Sequence, residues 1–348
     1  MKIGLLFDMR NPVRWERPWA DHYARTLEFC EEADRRGIGG LWFTEHHRFE
    51  DGYLPQPLTM AAAAAARTRH ARIGTSVVLP ALREPAHLAE EAALVDLISG
   101  GRLELGVGAG YRKPEFQLFG VPYERRVSRA GQAVGEVRRL WEERAVTPGP
   151  LQSPVPVWGG FYGPRGARMA GRAGMGYLNL SRPMFEHYRA GLAEGGHDVN
   201  AARAGGVLFL TLADDPEAVW PRLVPHVVHQ RNSYRLGWAE GRDEPEPELL
   251  DPDRDGDELR ELHRVLTPEQ AARHIEDLAR GLPVEHVILF ASIAGMPDDL
   301  VVRHMELCAE ELPALLGSGR DAAAPDVPDV PEVPDVPVVP DVELALTD

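Results

Sequence analysis

Residues 71–108 read ARIGTSVVLP (71–80), ALREP (81–85), AHLAEEAALVDLIS (86–99), GG (100–101) and RLELGVG (102–108). The first run is apolar, β-branched and closed by Pro80, which predicts a strand. Ala86–Ser99 reads as an amphipathic helix, and Gly100-Gly101 separates it from a second strand at 102–108. Strand, helix and strand in that order make one parallel crossover unit. The same rhythm continues in both directions. Strands are predicted at 2–8, 39–46, 71–80, 102–108, 155–160, 177–181, 205–213 and 284–292. Between them lie helices at Trp19–Arg36, Leu58–Arg69, Ala86–Ser99, Arg126–Arg144, Gly163–Ala173, Phe185–Ala193, Pro216–Leu236 with Thr267–Arg280, and Pro297–Leu316. Eight alternating units suit an α/β chain closed into a (β/α)8 TIM barrel, with an open doubly wound sheet as the alternative. A barrel of roughly 250 residues leaves room for insertions in this chain.

Two segments break the rhythm. Residues 239–263 carry 11 Asp/Glu against 3 Arg and read as a solvated acidic insertion. In 317–348, Pro325, Pro328, Pro331, Pro334, Pro337 and Pro340 recur at every third residue among Asp and Val, predicting an extended, disordered acidic tail. The expected organisation is therefore one barrel over 1–316 and a tail over 317–348. These two segments hold nearly all of the net charge of -16, so the body is close to neutral and lacks the basic footprint of a nucleic-acid binder. No run approaches the ~20 apolar residues of a membrane span, and Asp8 comes too early for a signal peptide, so a cytoplasmic location is expected. Cys30 and Cys308 fall in amphipathic helices and are expected to be reduced, buried thiols.

Three stretches carry chemistry, each at the C-terminal end of a predicted strand, where barrel active sites lie. In Leu41-Trp42-Phe43-Thr44-Glu45-His46-His47-Arg48-Phe49, adjacent histidines on a strand would point to opposite faces and could not share a metal ion without a break. One histidine is then expected to face the pocket as acid, base or donor, while Glu45 and the other brace the junction. In Gly106-Val107-Gly108-Ala109-Gly110-Tyr111 the dinucleotide fingerprint fails at Tyr111. Alternating glycines instead clear one face for a flat ring or for another backbone. Val157–Arg168 reads as strand, Gly-rich turn and helix start, a phosphate seat near Arg165 or Arg168 without a Walker lysine. Asp251–Asp257 copies half of an EF-hand loop, but Glu261 falls one residue short of the closing ligand, so no metal ligand is assigned there. Trp15, Trp19, Tyr53, Phe116, Tyr162 and Trp238 are aromatic candidates for a substrate pocket.

With these stretches in order, the chain resembles the bacterial luciferase-like, flavin-dependent monooxygenases over residues 1 to about 316. The resemblance rests on Trp42–His47, on Pro57-Leu58-Thr59 with Ala66-Arg67-Thr68, and on Ile73–Pro80. It continues through Ala89-Glu90-Glu91 with Leu94–Arg102, Gly106–Tyr111, and Glu115–Gly120. It implies a (β/α)8 barrel in which reduced FMN, supplied by a separate NAD(P)H-dependent flavin reductase, reacts with O2 to a flavin C4a-peroxide that oxidises a small organic substrate. His46 matches the family's active-site histidine. Thr75, Ser76 and Val77 match the strand segment under the ring, with Ser76–Val77 as the candidate cis peptide. Gly108 and Ala109 fall beside the ring, and Gly160, Phe161, Tyr162 and Gly163 match the phosphate loop. The resemblance also implies a homo-oligomer.

The departures limit what is carried over. Ala109 stands where light-emitting members have an arginine, Gly108 where they have a reactive cysteine, and Gln56 where many members have asparagine. True luciferase activity is therefore not expected. Coenzyme F420 with hydride transfer is the alternative cofactor reading. A non-catalytic flavin-binding barrel and a metal-dependent barrel hydrolase are the alternatives from other classes.

Overall fold

The structure is a computed structural model that describes residues 1–316. The expected boundary at 316 and tail at 317–348 concern residues outside the described ones. Among the described residues ten strands form: β1 Lys2–Phe7, β2 Gly40–Phe43, β3 Arg72–Thr75, β4 Leu103–Val107, β5 Val157–Gly159, β6 Gly176–Leu178, β7 Ala204–Leu208, β8 Leu210–Leu212, β9 Arg264–Leu266 and β10 Val284–Ser292. Eight of them close a barrel in the order β1-β10-β7-β6-β5-β4-β3-β2. Every pair is parallel, and β1 is bonded on both sides, with Ile3 opposite Val287 and Leu5 opposite Leu41. A doubly wound sheet would leave two edges, so the closed barrel is the fold and the open-sheet alternative falls.

Helices between the strands form where the apolar period and the end signals agree. Trp19–Arg36 matches its predicted span, buries Phe29, Cys30 and Ala33, and stops at Gly37 with φ 90°. Pro57, Pro85, Pro216 and Pro268 each open a helix, where a missing N–H costs nothing. The barrel interior is filled by the indoles of Trp42 and Trp158. They lie against Gly74 and Gly176, positions at which a Cβ would strike the ring. His286 packs edge-on to both indoles at 5.2 Å, and Glu104 accepts from Trp158 Nε1 at 2.8 Å and from Arg72 Nε at 2.7 Å. This plug closes the end of the barrel opposite the strand C-termini and leaves the other end for chemistry.

The structure corrects three expectations. The run 205–213 is two strands: β7 ends at Leu208, Phe209 leaves the barrel ladder, and β8 pairs with β9 in a separate two-stranded sheet. An uninterrupted apolar run carries no mark of such a change of partner. The segment 239–263 is only partly solvated. Helix Pro216–Arg242 runs into it, helix Gly256–Leu262 forms within it, and Ala239, Leu250, Leu259 and His263 are buried. Few apolar side chains suffice to pin an acidic segment when each is fully covered. Finally, β2 ends at Phe43, so His46 and His47 follow the strand rather than lying on it. No helix among the described residues is long and apolar enough to cross a membrane.

Candidate active site

The loops after β1, β2, β4 and β5, together with helix Pro216–Arg242, meet at the strand C-termini. After β2 the two histidines take separate carboxylates. Glu115, on helix Lys113–Leu118, accepts from the His46 ring at Nδ1 (2.9 Å) and from the His47 backbone N–H (3.1 Å) through the same Oε1. A carboxylate that accepts at Nδ1 fixes the proton there and leaves Nε2 as the basic nitrogen. Its other oxygen, Oε2, is buried without a partner. His47 Nε2 instead meets Glu45 Oε1 at 3.0 Å, while Glu45 Oε2 accepts from Leu79 N–H at 2.8 Å and Oε1 from Arg83 at 3.1 Å. His47 and Glu45 therefore tie β2 to the loop after β3. Gln56 also lies here, accepting from Arg83 at 3.0 Å.

His46 sits among rings. Tyr53, Phe49 and Tyr111 lie 4.5, 5.1 and 5.4 Å from its centroid. Tyr111 follows the glycines of β4 and stacks on Trp238 at 4.3 Å, and Trp238 meets Tyr162 at 5.8 Å. This run of contacts joins the histidine of β2 to the turn after β5. Of the other aromatic candidates, Phe116 is core, packed on Tyr123. Trp15 packs on His226 at 4.0 Å, and Trp19 fills the space beside Gly52.

The glycine-lined rim is assembled from β3, β4 and β5. Thr75 exchanges two hydrogen bonds with Gly106, 2.7 and 2.9 Å. The Ser76–Val77 peptide is cis, and the Ser76 N–H donates to Phe43 O at 2.7 Å. Val77 stands between Gly108 and Gly160: a Cβ on either glycine would come within 2.5 and 2.7 Å of a Val77 methyl. The alternating glycines are thus explained in part by β3, since the Thr75 carbonyl crowds Gly106. Ala109 is partly buried against the core. Gly160 N–H donates to Val107 O at 2.8 Å. The Phe161 ring turns inward against Gly159, which leaves its backbone at the turn beside Gly166, whereas Tyr162 is 62% exposed. Gly163, at φ 71°, opens helix Gly163–Arg172 with free space beside it. Arg168 does not serve this turn; it pairs with Glu194 at 2.5 Å on the outer surface.

A third group went unread in the sequence. Arg10, after β1, donates to Asp51 at 2.6 Å and to Ser233 at 2.8 Å, and its guanidinium lies 3.9 Å over the Tyr53 ring. His229 meets the same Asp51 oxygen at 2.7 Å. Burial would raise Asp51, but His229 and Arg10 hold it down to about 2. Burial wins at Asp8, which is pushed up to about 6 despite Arg10. Glu115 lies four residues past Tyr111, in a stretch that topology puts at the mouth, and heads the Glu115–Gly120 block of the resemblance, but neither signal gave it a role.

The arrangement offers an apolar floor of Val77 methyls, backbone N–H groups at a helix N-terminus, and an imidazole held by a buried carboxylate. The buried Tyr111 hydroxyl and Glu115 Oε2 have no partner among the described residues. This set fits a flat apolar ring with an anionic appendage, and His46 for proton movement beside it.

The family model described as luciferase-like monooxygenase matches residues 1–286. The oxygenase component of a flavin-dependent trigonelline monooxygenase from Acinetobacter baylyi is 31% identical over 181 residues, 45% of this chain and 48% of that protein. An F420-dependent glucose-6-phosphate dehydrogenase from Amycolatopsis mediterranei is 28% identical over 308 residues, 80% of this chain and 83% of that protein. The crystal structure of a monooxygenase from Streptomyces bottropensis superposes with a TM-score of 0.75 at 26% identity, covering 90% of this chain and 99% of that one.

Proposed function

The chain belongs to the luciferase-like monooxygenase family, and from that premise we propose that it is a flavin-dependent monooxygenase of the two-component kind, acting on a small organic substrate. It would take reduced FMN from a separate NAD(P)H-dependent reductase, in the cytoplasm, as a homo-oligomer. The observation that carries the reading is the His46–Glu115 pair, joined by ring contacts through Tyr111 and Trp238 to the turn after β5. When bound, the flavin supplies the electrons with which O2 is activated.

The chain's own residues do the rest. Val77, Gly108 and Gly160 form the floor for the ring, with Thr75, Ser76 and Ala109 at its edge. The backbone N–H groups of Phe161, Tyr162 and Gly163 would hold the phosphate at the helix N-terminus, while the N–H of Gly160 is spent on Val107 O. His46 Nε2 takes or returns a proton, and Glu115 keeps the tautomer that allows it and favours the imidazolium once formed. Tyr53, Phe49 and Tyr111 exclude water around that nitrogen.

A specific observation favours a second reading. The F420-dependent relative aligns over four fifths of this chain, more than the trigonelline enzyme does. The same floor and histidine would then serve hydride transfer without O2. Anaerobic titration of the full chain with reduced FMN, followed by O2 and a panel of organic substrates, tests the first reading. Oxygenated product whose yield depends on bound FMN supports it. Failure of reduced FMN to bind would overturn it.

A further inference from the structure

Helix Pro216–Arg242 presents Arg231, Tyr234 and Trp238 at i, i+3 and i+7, one face of a 3.6-residue period. Tyr234 and Trp238 have their ring partners at the mouth: Tyr234 bonds the Tyr53 hydroxyl at 2.7 Å and Trp238 stacks on Tyr111. Arg231 is differently placed. Its guanidinium lies 3.6 Å over the Phe209 ring, where β7 leaves the barrel, and the residue is only 8% exposed. Among the described residues it makes no hydrogen bond or ion pair, and its Nε is buried without a partner. The other two arginines buried at this mouth are both paired, Arg10 with Asp51 and Arg112 with Glu240, each at 2.6 Å. Burial pulls Arg231 down to about 10, which still leaves it charged at neutral pH.

A buried cation without a counter-ion costs stability, and the Phe209 face offsets only part of that cost. A ligand that brings an anion to this guanidinium would supply the missing partner. Phe209 meets Tyr234 at 6.1 Å, so an aromatic path leads from Arg231 back along the helix. The backbone rise sets Arg231 and Trp238 roughly 10 Å apart along the axis.

We propose that Arg231 is the anion-recognising residue of the substrate site, which takes an elongated organic acid. The acid's carboxylate is forked by the guanidinium, and its apolar or aromatic body lies along Tyr234 and Trp238 toward His46. The identity of that site as the place of oxidation rests on the monooxygenase reading; the recognition of the acid does not.

The test is binding alone, with no flavin added. The full chain is titrated with 6-phenylhexanoate and with its amide, 6-phenylhexanamide, following tryptophan fluorescence. The wild type is expected to bind the acid at least about tenfold more tightly, the scale of a charge-assisted pair. Arg231→Met removes that preference and leaves amide binding unchanged, and Arg231→Lys keeps part of it. Because the variant loses an unpaired buried charge, Arg231→Met melts at or above the wild type. Equal binding of acid and amide by the wild type, whether tight or absent, overturns the proposal. So does a preference that survives Arg231→Met, or a fall of several degrees in its melting temperature, which would mark Arg231 as structural. A negative result here leaves flavin binding untouched, and failure of reduced FMN to bind leaves the acid preference to be read on its own.

Discussion

Glu115 accepts two hydrogen bonds through one buried oxygen, so its removal costs His46 its orientation as well as its charge partner. His46→Ala is predicted to lower turnover by about 100-fold or more, the usual share of a positioned acid–base group, with FMN affinity nearly unchanged. Glu115→Gln falls between that variant and the wild type. Turnover with reduced flavin and FMN binding by fluorescence quenching check this, and unchanged turnover removes His46 from the mechanism. A second residue-scale prediction concerns the floor. Gly108→Ala sets a methyl 2.5 Å from Val77, a stiff β-branched neighbour, and is expected to cost about 1–3 kcal/mol by overpacking. Val77→Ala in the same chain relieves the clash. Urea denaturation of the single and double variants measures both, and additive losses would contradict the contact.

At the scale of elements, the ribbon β8–β9 is one place where pH acts on stability. His304 Nδ1 accepts from the Leu212 N–H of β8 at 2.9 Å, and burial pushes its pKa down from 6.5 to about 4. His263, which meets Thr211 at 2.9 Å, is lowered by burial and then by Arg231. Both must be neutral in the folded chain. The contribution of His304 is therefore fully present above pH 6.5 and is lost as pH falls toward 4, and that of His263 runs in the same direction. For His304 it amounts to roughly 3 kcal/mol. His304→Gln, which keeps an acceptor, is predicted to flatten that limb of the stability curve; an unchanged slope would contradict the assignment. The same elements show what the sequence could and could not disclose. Trp19–Arg36 was legible because its apolar period, length and Gly37 stop coincide. The split at Phe209 was not, because two neighbouring strands of different sheets read as one apolar run. Helix Pro216–Arg242 was legible as a helix, but its spacing of Arg231, Tyr234 and Trp238 does not say which loops it will cross. His46 was legible as one of two histidines at the end of a strand, chosen over His47 only by the family resemblance, whereas its partner Glu115 stands on a helix 69 residues away that the β2-β3-β4 ladder brings beside it.

At the scale of the whole molecule, one helix among the described residues carries an apolar face that the barrel does not cover. Helix Pro85–Ser99 buries Leu88, Ala92 and Val95 yet leaves Leu94, Leu97 and Ile98 exposed on its other side. An apolar strip of this kind marks a surface that meets another protein. The chain is predicted to self-associate through it, so that Ile98→Asp lowers the sedimenting mass; an identical sedimentation profile would rule the strip out. At the mouth, the proposed function has the rim of β3, β4 and β5 and the imidazole after β2 hold one reduced flavin and present it to O2. The most direct measurement mixes the full chain, without oxygen, with reduced FMN and separately with reduced F420, then admits O2 and follows the cofactor spectrum. The account predicts that FMN binds and that its return to the oxidised spectrum differs in rate from that of free reduced FMN. Binding of F420 alone, with FMN reoxidised as if no protein were present, would contradict it.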